Sequence, residues 1–390
     1  MTSKLTQKNI PSGWEEKNLL DCMDLPSKLD GIKQSEYQNS GDFPVFDQGQ
    51  SYLSGYSDRE DLKITNVPAI LFGDHTRIVK YIKSPFIAGA DGTKIFWSKN
   101  GVDISFLYYS VLNQTIPNTG YNRHFKFFKD IKVVVPKSKT EQQKIAEILG
   151  GVDEDIAKTQ EVIGATEKLK RGLMQQLFTR GIEHTKFKET KLGEIPEEWE
   201  VISFGDSTNF IDYRGKTPQK TDSGIPLITA KNVRQGYIEA EPREYIAEDD
   251  YDKWMTRGIP KIGDVLFTTE APLGYVAQIN TDQKIALAQR IITIQSDVFD
   301  CTFLKYMLMS PSVQSEIQAL GTGGTVKGIK ASTLRKLEVM QPYKNEQGEI
   351  AKILSAVDEK ISVNKKLKEK LTLLKKGLMQ DLLSGRVRTK

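Results

Sequence analysis

Histidine and cysteine are scarce in this chain, 3 and 2 of its 390 residues. Cys22 and Cys301 lie far apart and form no Cys-x-x-Cys pair, and His75, His124 and His184 fall in no metal-ligand spacing. These absences exclude a zinc site or a disulfide scaffold as the organising chemistry. Long apolar runs are missing as well. Nothing approaches the roughly 18 residues of a membrane span, and the stretch from Met1 to Ile10 is polar with no apolar core. The expectation is a soluble, cytoplasmic protein with no membrane contact. Neither sign of charge is in large excess, 55 Lys+Arg against 51 Asp+Glu, and a net +4 by itself names no partner.

The signatures of common chemistries are also absent. There is no Asn/Asp-Pro-Pro-aromatic motif of amino-methyltransferases and no strand-linked glycine fingerprint for a nucleotide cofactor. Arg214-Gly215-Lys216-Thr217 matches the end of a phosphate-binding P-loop, but Phe210 stands where that loop needs its first glycine. Three scattered histidines support no serine-histidine triad. The chain is therefore expected not to be an enzyme and to bind no cofactor of its own.

What the chain does have is an internal repeat, the feature to settle before any local reading. Residues 141–177 align without a gap on 346–382, and 17 of the 37 positions are identical. A weaker echo joins Ile10-Pro11-Ser12-Gly13-Trp14-Glu15 to Ile195-Pro196-Glu197-Glu198-Trp199-Glu200. Residues 15–140 and 200–345, between these echoes, share little, so one frame carries two different inserts. In the repeated segments apolar residues recur in steps of three and four: Ile145, Leu149, Val152, Ile156, Ile163, Leu169, Leu173 and Leu177, then Ile350, Leu354, Val357, Ile361, Leu367, Leu371, Leu374, Leu378 and Leu382. That spacing predicts coiled-coil helices. Neither segment contains proline, Thr140-Glu141 and Asn345-Glu346 supply caps, and Gly181 and Gly385 mark the ends. Gly150, Gly151 and Gly164 weaken the first helix by about 1 kcal/mol each. Two antiparallel rods of roughly 55 Å would hold the inserts apart like a ruler.

The inserts mix element types. Ile131 to Val135, Val265 to Thr269 and Ala286 to Ile294 read as strands, Phe303 to Met309 as a short helix. The expected organisation is an α+β domain over 1–139, a helix over 140–180, a linker over 181–195, a second α+β domain over 196–345, a helix over 346–384 and a basic tail over 385–390. Trp14 and Trp199, each following Ile-Pro in its copy, read as structural anchors, and His184 as a surface residue. Residues 360–390 carry 10 Lys/Arg against 2 Asp/Glu, whereas 155–185 carry 5 against 4. The first is a solvated basic face, or a surface for phosphates or an acidic partner.

Two unlike domains alternating with two like helices, with Glu-Gln-x-x-Ile-Ala-x-Ile-Leu opening each helix and Gly-Leu-Met-Gln near its end, resemble the specificity subunits of type I restriction-modification systems. The resemblance spans essentially the whole chain. It extends to Phe72-Gly73-Asp74-His75-Thr76-Arg77, Ala88 to Thr93 and Tyr121 to Lys126, similar to one class of target-recognition domain. Tyr213 to Pro218, Ile225 to Ile228 with Lys231-Asn232-Val233, and Gly321 to Ser332 are similar to another. The resemblance implies two target-recognition domains alternating with two long antiparallel coiled-coil helices in a pseudo-twofold tandem repeat. It implies a non-catalytic subunit that reads a bipartite, asymmetric site in double-stranded DNA, one half per domain. It further implies two modification subunits, which carry S-adenosylmethionine-dependent adenine-N6 methylation, and two restriction subunits, which carry ATP- and Mg-dependent translocation and cleavage. The rival readings are a free-standing DNA methyltransferase or nuclease, and a coiled-coil scaffold with no DNA role.

Arg and Lys pair with guanine, Asn and Gln with adenine, and phosphate contacts position without reading sequence. On that chemistry the DNA-facing candidates of the first domain are His75, Arg77, Lys80, Lys94, Asn122, Arg123, His124 and Lys126. Those of the second are Tyr213, Arg214, Lys216, Thr217, Lys231, Asn232, Arg234, Gln289, Arg290, Thr325, Lys327 and Lys330. Any one of them alone is equally well read as a solvated surface group.

Overall fold

The repeated segments form single uninterrupted helices. In the computed structural model, which describes residues 10–27, 29–215 and 217–389, they span Lys139–Leu177 and Lys344–Leu382, 39 residues each. At 1.5 Å per residue each is about 58 Å long. The expected caps at Thr140 and Asn345 lie inside the helices; in the first, Ser138 Oγ accepts from Glu141 N–H at 3.4 Å instead.

The chain divides into two units. One takes the described residues up to Glu161 together with those from Lys365; the other is Val162–Asn364. Each unit therefore holds the beginning of one long helix and the end of the other. Inside the first unit, Asp153 meets Lys375 at 2.5 Å and Gln160 meets Lys368 at 2.6 Å, so one helix rises as the other falls. Inside the second, Lys170 meets Asp358 at 2.6 Å. The partner numbers add to 528 in all three, one antiparallel register.

The packed faces differ from the periodic reading. Ile145, Leu149, Ile163, Leu177, Ile350, Leu354, Ile361 and Leu382 are buried as expected. Leu169, Leu367 and Leu374 instead stand 54%, 44% and 50% exposed, and Met174 and Met379 are buried. Thr159 and Thr166 are buried in the seam, each hydroxyl donating to a carbonyl four residues back in its own helix, at 2.6 and 2.7 Å. This satisfies the hydroxyls without giving the seam apolar grip.

The first unit's strands are β1 Trp14–Asn18, β2 Met23–Asp24, β3 Phe43–Phe46, β4 Gly55–Ser57, β5 Ala69–Gly73, β6 Val79–Ile82, β7 Ile87–Ala88, β8 Thr93–Ser98 and β9 Lys132–Pro136. They make a two-stranded ribbon β1-β9, a four-stranded sheet β2-β8-β5-β6 and a three-stranded sheet β4-β3-β7 with β3 and β7 parallel. In the second unit a hairpin of β10 Phe187–Thr190 and β11 Gly193–Pro196 comes first. The expected linker over 181–195 is thus largely a folded hairpin whose Ile195 enters the core. There follow β12 Glu200–Ser203, β13 Asn209–Asp212, β14 Ile225–Ile228, β15 Tyr245–Ile246, β16 Val265–Thr268, β17 Val276–Gln278, β18 Ala286–Leu287, β19 Ile291–Gln295 and β20 Glu338–Gln341. Their sheets are β12-β20, β13-β19-β16-β17 and β15-β14-β18, again with its last pair parallel. Two inserts that share little sequence are built on one strand order. The strand expected over Ala286 to Ile294 is two strands, broken at 288–290.

In each unit a short helix opens on an aspartate cap: Ile104–Leu112 on Asp103 and Cys301–Met309 on Asp300. The long helices grip these caps. Gln142, 2% exposed, accepts from Asp103 N–H at 2.6 Å and donates to Pro136 O at 2.7 Å. Gln347, 1% exposed, does the same with Asp300 at 2.8 Å and Pro342 O at 2.9 Å. Trp14 and Trp199 are buried in the two main cores, as anchors.

The glutamates beside these glutamines hold the far helix ends. Glu346 accepts from Trp199 Nε1, Ile182 N–H and His184 Nε2, each at 2.9 Å, so His184 is a packed residue and not a surface one. Glu141 binds both arms of Arg388, at 2.6 and 2.9 Å, and Arg388 also donates to Ser12 O. The expected basic tail over 385–390 is therefore docked through Arg388; its last residue, Lys390, lies outside the described residues. Gly181 and Gly385 turn the chain with φ of +62° and +71°. A Cβ at Gly181 would sit 2.6 Å from Glu346 Oε1, and one at Gly385 2.6 Å from the Pro11 ring. Only glycine meets both demands at no cost.

Candidate nucleic-acid interface

In the first unit the candidate surface is built around the turn after β5. Asp74, buried there, accepts from His124 N–H and from His124 Nδ1 through its backbone carbonyl, both at 2.8 Å, and from Phe125 N–H through its carboxylate. Thr119 N–H donates to His124 Nε2 at 3.3 Å, which leaves the ring proton on Nδ1. His124 is fully buried and committed to this latch, so it is not a DNA-facing residue. What the latch presents is Tyr121, Asn122 and Arg123, all exposed, Tyr121 at 82%. Tyr121 stacks on His75 with centroids 4.4 Å apart and planes within 8°. Gln48 props His75 from below, accepting from its N–H at 3.0 Å and donating to Asp91 O at 2.9 Å.

The remaining candidates of this unit scatter. Lys80 is 2% exposed, donates to Ser51 O at 2.6 Å and lies 4.0 Å from Asp47. Burial pushes its ammonium below the usual lysine range, with Asp47 pulling back. It is an internal strut, and the expectation that it faces DNA is corrected. Arg77 holds a left-handed turn at φ +63° and donates to Ile116 O at 3.2 Å. Lys94 is half-buried on β8, and Lys126 is exposed with its ammonium 5.3 Å from the Phe127 ring. Tyr121 was not among the candidates although it adjoins Asn122 and Arg123 in the sequence; Gln48 was missed because it lies 27 residues from His75 and meets it only in the fold.

In the second unit four of the candidates converge. Arg214, Gln289, Arg290 and Lys330 line one open groove of about 430 Å³ with Thr269, Glu270, Thr322 and Val326. The groove exists because Thr322 and Gly328 exchange two backbone hydrogen bonds at 2.9 Å and Ile329 N–H docks on Thr269 O, which folds the glycine-rich loop onto the end of β16. The break between β18 and β19 turns Gln289 and Arg290 out of the sheet onto the opposite wall.

Two carboxylates aim the guanidinium groups. Arg214 Nε donates to both oxygens of Asp212 at 2.9 Å, and NH1 reaches Ile329 O at 3.4 Å. Burial raises the Asp212 carboxyl, but the Arg214 side chain and its backbone N–H outweigh that and hold it below the usual range. Arg290 Nε pairs with Glu270 at 2.8 Å. The Gln289 amide has no partner among the described residues. A fixed guanidinium fork beside a free amide is the donor set that reads guanine and adenine edges.

Two candidates here are corrected. Tyr213, 2% exposed, donates to Gly258 O at 2.8 Å and accepts from Arg257 N–H at 2.9 Å. Asn232, 3% exposed, spends its amide on Thr229, Glu239 and Pro242. Both are internal, and their polar groups are spent on internal partners as burial requires. Lys231 and Thr217 are exposed and Arg234 half-buried, none of them lining the groove. Thr325 and Lys327 are exposed on the loop that carries the groove wall. Lys216 lies outside the described residues. Arg257, unremarked in the sequence, donates to the carbonyls of Asp212 and Arg214 at 2.8 and 3.0 Å and so braces the same wall.

Among the described residues no three His, Cys, Asp or Glu side chains are grouped to hold a metal ion, and no helix is long and apolar enough to cross a membrane.

Residues 11–163 and 196–373 match the family described as the type I restriction modification DNA specificity domain. The type I restriction enzyme MjaVIII specificity subunit of Methanocaldococcus jannaschii is 29% identical over 98% of this chain and 94% of its own length. The MjaIX specificity subunit of the same organism is 32% identical over 47% of this chain and 44% of its own. Among solved structures, the S subunit of a type I restriction-modification system from M. genitalium superposes with a TM-score of 0.64 at 17% identity, covering 97% of this chain and 98% of that one. A chain from a study of complex assembly and conformational transition of the type I R-M system gives 0.55 at 14% identity, covering 97% and 99%.

Proposed function

This chain belongs to the type I restriction-modification DNA specificity family, and from that premise we propose that each unit reads one half of a bipartite, asymmetric site in double-stranded DNA. The observation that carries this reading is one strand order built twice on dissimilar sequence around one repeated helix pair. A shared frame with two unlike surfaces is what two unlike half-sites require. In the second unit the reading surface is the groove of Arg214, Gln289, Arg290 and Lys330. In the first it is the exposed patch of His75, Tyr121, Asn122 and Arg123. Arg77, Lys94, Lys126, Thr217, Lys231, Arg234, Thr325 and Lys327 are left as phosphate-positioning or solvated groups.

The chain itself is non-catalytic. It docks modification and restriction subunits, two of each, and these supply S-adenosylmethionine-dependent adenine methylation and the ATP- and Mg-dependent steps. The target base is reached by flipping within the modification subunit. Apolar side chains stand exposed at repeat-equivalent positions, Ile148 with Ile353, Val162 with Leu367 and Leu169 with Leu374. Two copies of one exposed stripe suit two copies of one partner. The length of the paired helices sets the unread spacer between the half-sites.

Exchange of residues 15–140 for the equivalent domain of another specificity subunit tests the modular reading. Methylation-aware sequencing should show one half-site changed and the other kept. A change in both halves, or none, would refute it.

A further inference from the structure

Two polar clusters interrupt the helix pair, and the repeat makes them twins. In the first unit Asp153 of one long helix takes Lys375 of the other at 2.5 Å and the hydroxyl of Tyr109, from the short helix Ile104–Leu112, at 2.9 Å. In the second unit Asp358 takes Lys170 at 2.6 Å and the hydroxyl of Tyr306, from Cys301–Met309, at 2.7 Å. Each ammonium also lies over its tyrosine ring, 5.5 Å from the centroid in the first and 5.4 Å in the second. The lysine side chains are 16% exposed in both. Asp153 and Lys170 are identical to Asp358 and Lys375 across the repeat, whereas the tyrosines come from the dissimilar inserts.

We propose that these two Asp–Lys–Tyr clusters are register pins, positioning residues that fix which turn of one helix faces which turn of the other and so set the spacer between the half-sites. The proposal rests on the two-half reading above. An antiparallel apolar seam tolerates a slide by one heptad, about 10.5 Å, because the apolar pattern repeats. Here the seam resists poorly, since Thr159 and Thr166 occupy it and Leu169, Leu367 and Leu374 leave it. The charged pairs do not repeat. Sliding one way sets Lys375 opposite buried Ala146 and Lys170 opposite buried Ala351; sliding the other sets Lys170 opposite Lys365. Neither slide keeps both pairs, and a partly buried charge that loses its partner is disfavoured. Polar residues in a seam are best attested in this register-fixing role. The tyrosine hydroxyls extend the constraint from the helix pair to the recognition domain of the same unit.

A heptad corresponds to about three base pairs of duplex, taking 34 to 36 Å per turn of 10 to 10.5 base pairs. The full chain, assembled with its modification subunits, is assayed by methylation of a DNA library carrying both half-sites at spacers from three shorter to three longer than the preferred one. Lys375→Glu is expected to reduce the preference for the native spacer by at least about tenfold, the scale of a single coupled charge pair, with both half-sites still read. Restoring the pair in reverse, Asp153→Lys with Lys375→Asp, should recover the preference. Where Lys375→Glu does not fold, Tyr109→Phe carries the test, since it removes one hydroxyl and keeps the ring. A lower Tm with unchanged spacer preference would reduce the clusters to ordinary stabilising contacts and overturn the proposal. A wild-type chain that reads no spaced pair of half-sites would instead refute the function on which it rests.

Discussion

Replacing Glu346 with alanine should unfold the second unit far more readily than any other single change to a charged side chain of the helix pair. The carboxylate is 7% exposed and accepts three hydrogen bonds, from Trp199 Nε1, Ile182 N–H and His184 Nε2, each at 2.9 Å. Alanine leaves all three donors facing a void. A buried donor stripped of its acceptor costs about 1–3 kcal/mol, and Trp199 is fully buried while His184 and Ile182 are partly so. Allowing for non-additivity among neighbours, the loss is about 3–5 kcal/mol, a large share of the 5–15 kcal/mol by which a domain is ordinarily stable. Glu346→Gln keeps one oxygen for two donors and turns an N–H toward the third, so it should cost about 1–2 kcal/mol. Glu141→Ala should cost less than Glu346→Ala, because its partner Arg388 keeps access to water. Urea unfolding followed by tryptophan fluorescence measures all three. A loss below about 1 kcal/mol for Glu346→Ala, or equal losses for the alanine and glutamine variants, would show that the three bonds do not hold the helix end to Trp199.

Gly181→Ala should destabilise the same corner, by strain at φ +62° and by collision with Glu346, whereas Gly151→Ala, in open space on the first long helix, should stabilise the chain by about 0.5–1 kcal/mol; thermal melting separates the two. Gln289→Ala should cost about 1–3 kcal/mol of discrimination at one base pair of the second half-site. Lys330→Ala should weaken binding evenly across sequences and lower the salt slope by about one; competition binding with single-substituted duplexes distinguishes these outcomes. The carboxyl of Asp212 is held below its ordinary 3.8, so its contribution is complete above that value and drains as the pH falls through the folded-state value. The Tm difference between wild type and Asp212→Asn should therefore be widest above pH 5 and close in stronger acid; a difference that grows on acidification would reverse the assigned cause.

The frame was legible because its signal is local and doubled. Seventeen identities at one offset, with steps of three and four, gave both long helices to within a few residues at each end. Periodicity alone could not say which leucines face the seam. Leu169, Leu367 and Leu374 keep the spacing yet stand exposed, whereas Met174 and Met379, outside the periodic set, are buried. The inserts hid their kinship for a related reason. A strand order is fixed by which edges pair, not by which side chains recur, so β2-β8-β5-β6 and β13-β19-β16-β17 share a plan without sharing residues.

The same distinction explains which site residues were misassigned. Lys80, His124, Tyr213 and Asn232 have the side chains of DNA-reading groups, and His124 and Tyr213 directly adjoin Arg123 and Arg214, which do stand on exposed surface or in the groove. What separates them is burial, which depends on partners remote in sequence: Ser51 for Lys80, Asp74 for His124, Gly258 for Tyr213, Pro242 for Asn232. Their buried polar groups hold the loops whose exposed members remain. Tyr121, Asn122 and Arg123 stand where they do because His124 is latched to Asp74, and Arg214 points into its groove because Asp212 and the carbonyl of Ile329 orient it. Mutating such a supporting residue should therefore weaken recognition at a whole half-site, whereas mutating a free amide such as Gln289 should relax it at one base pair.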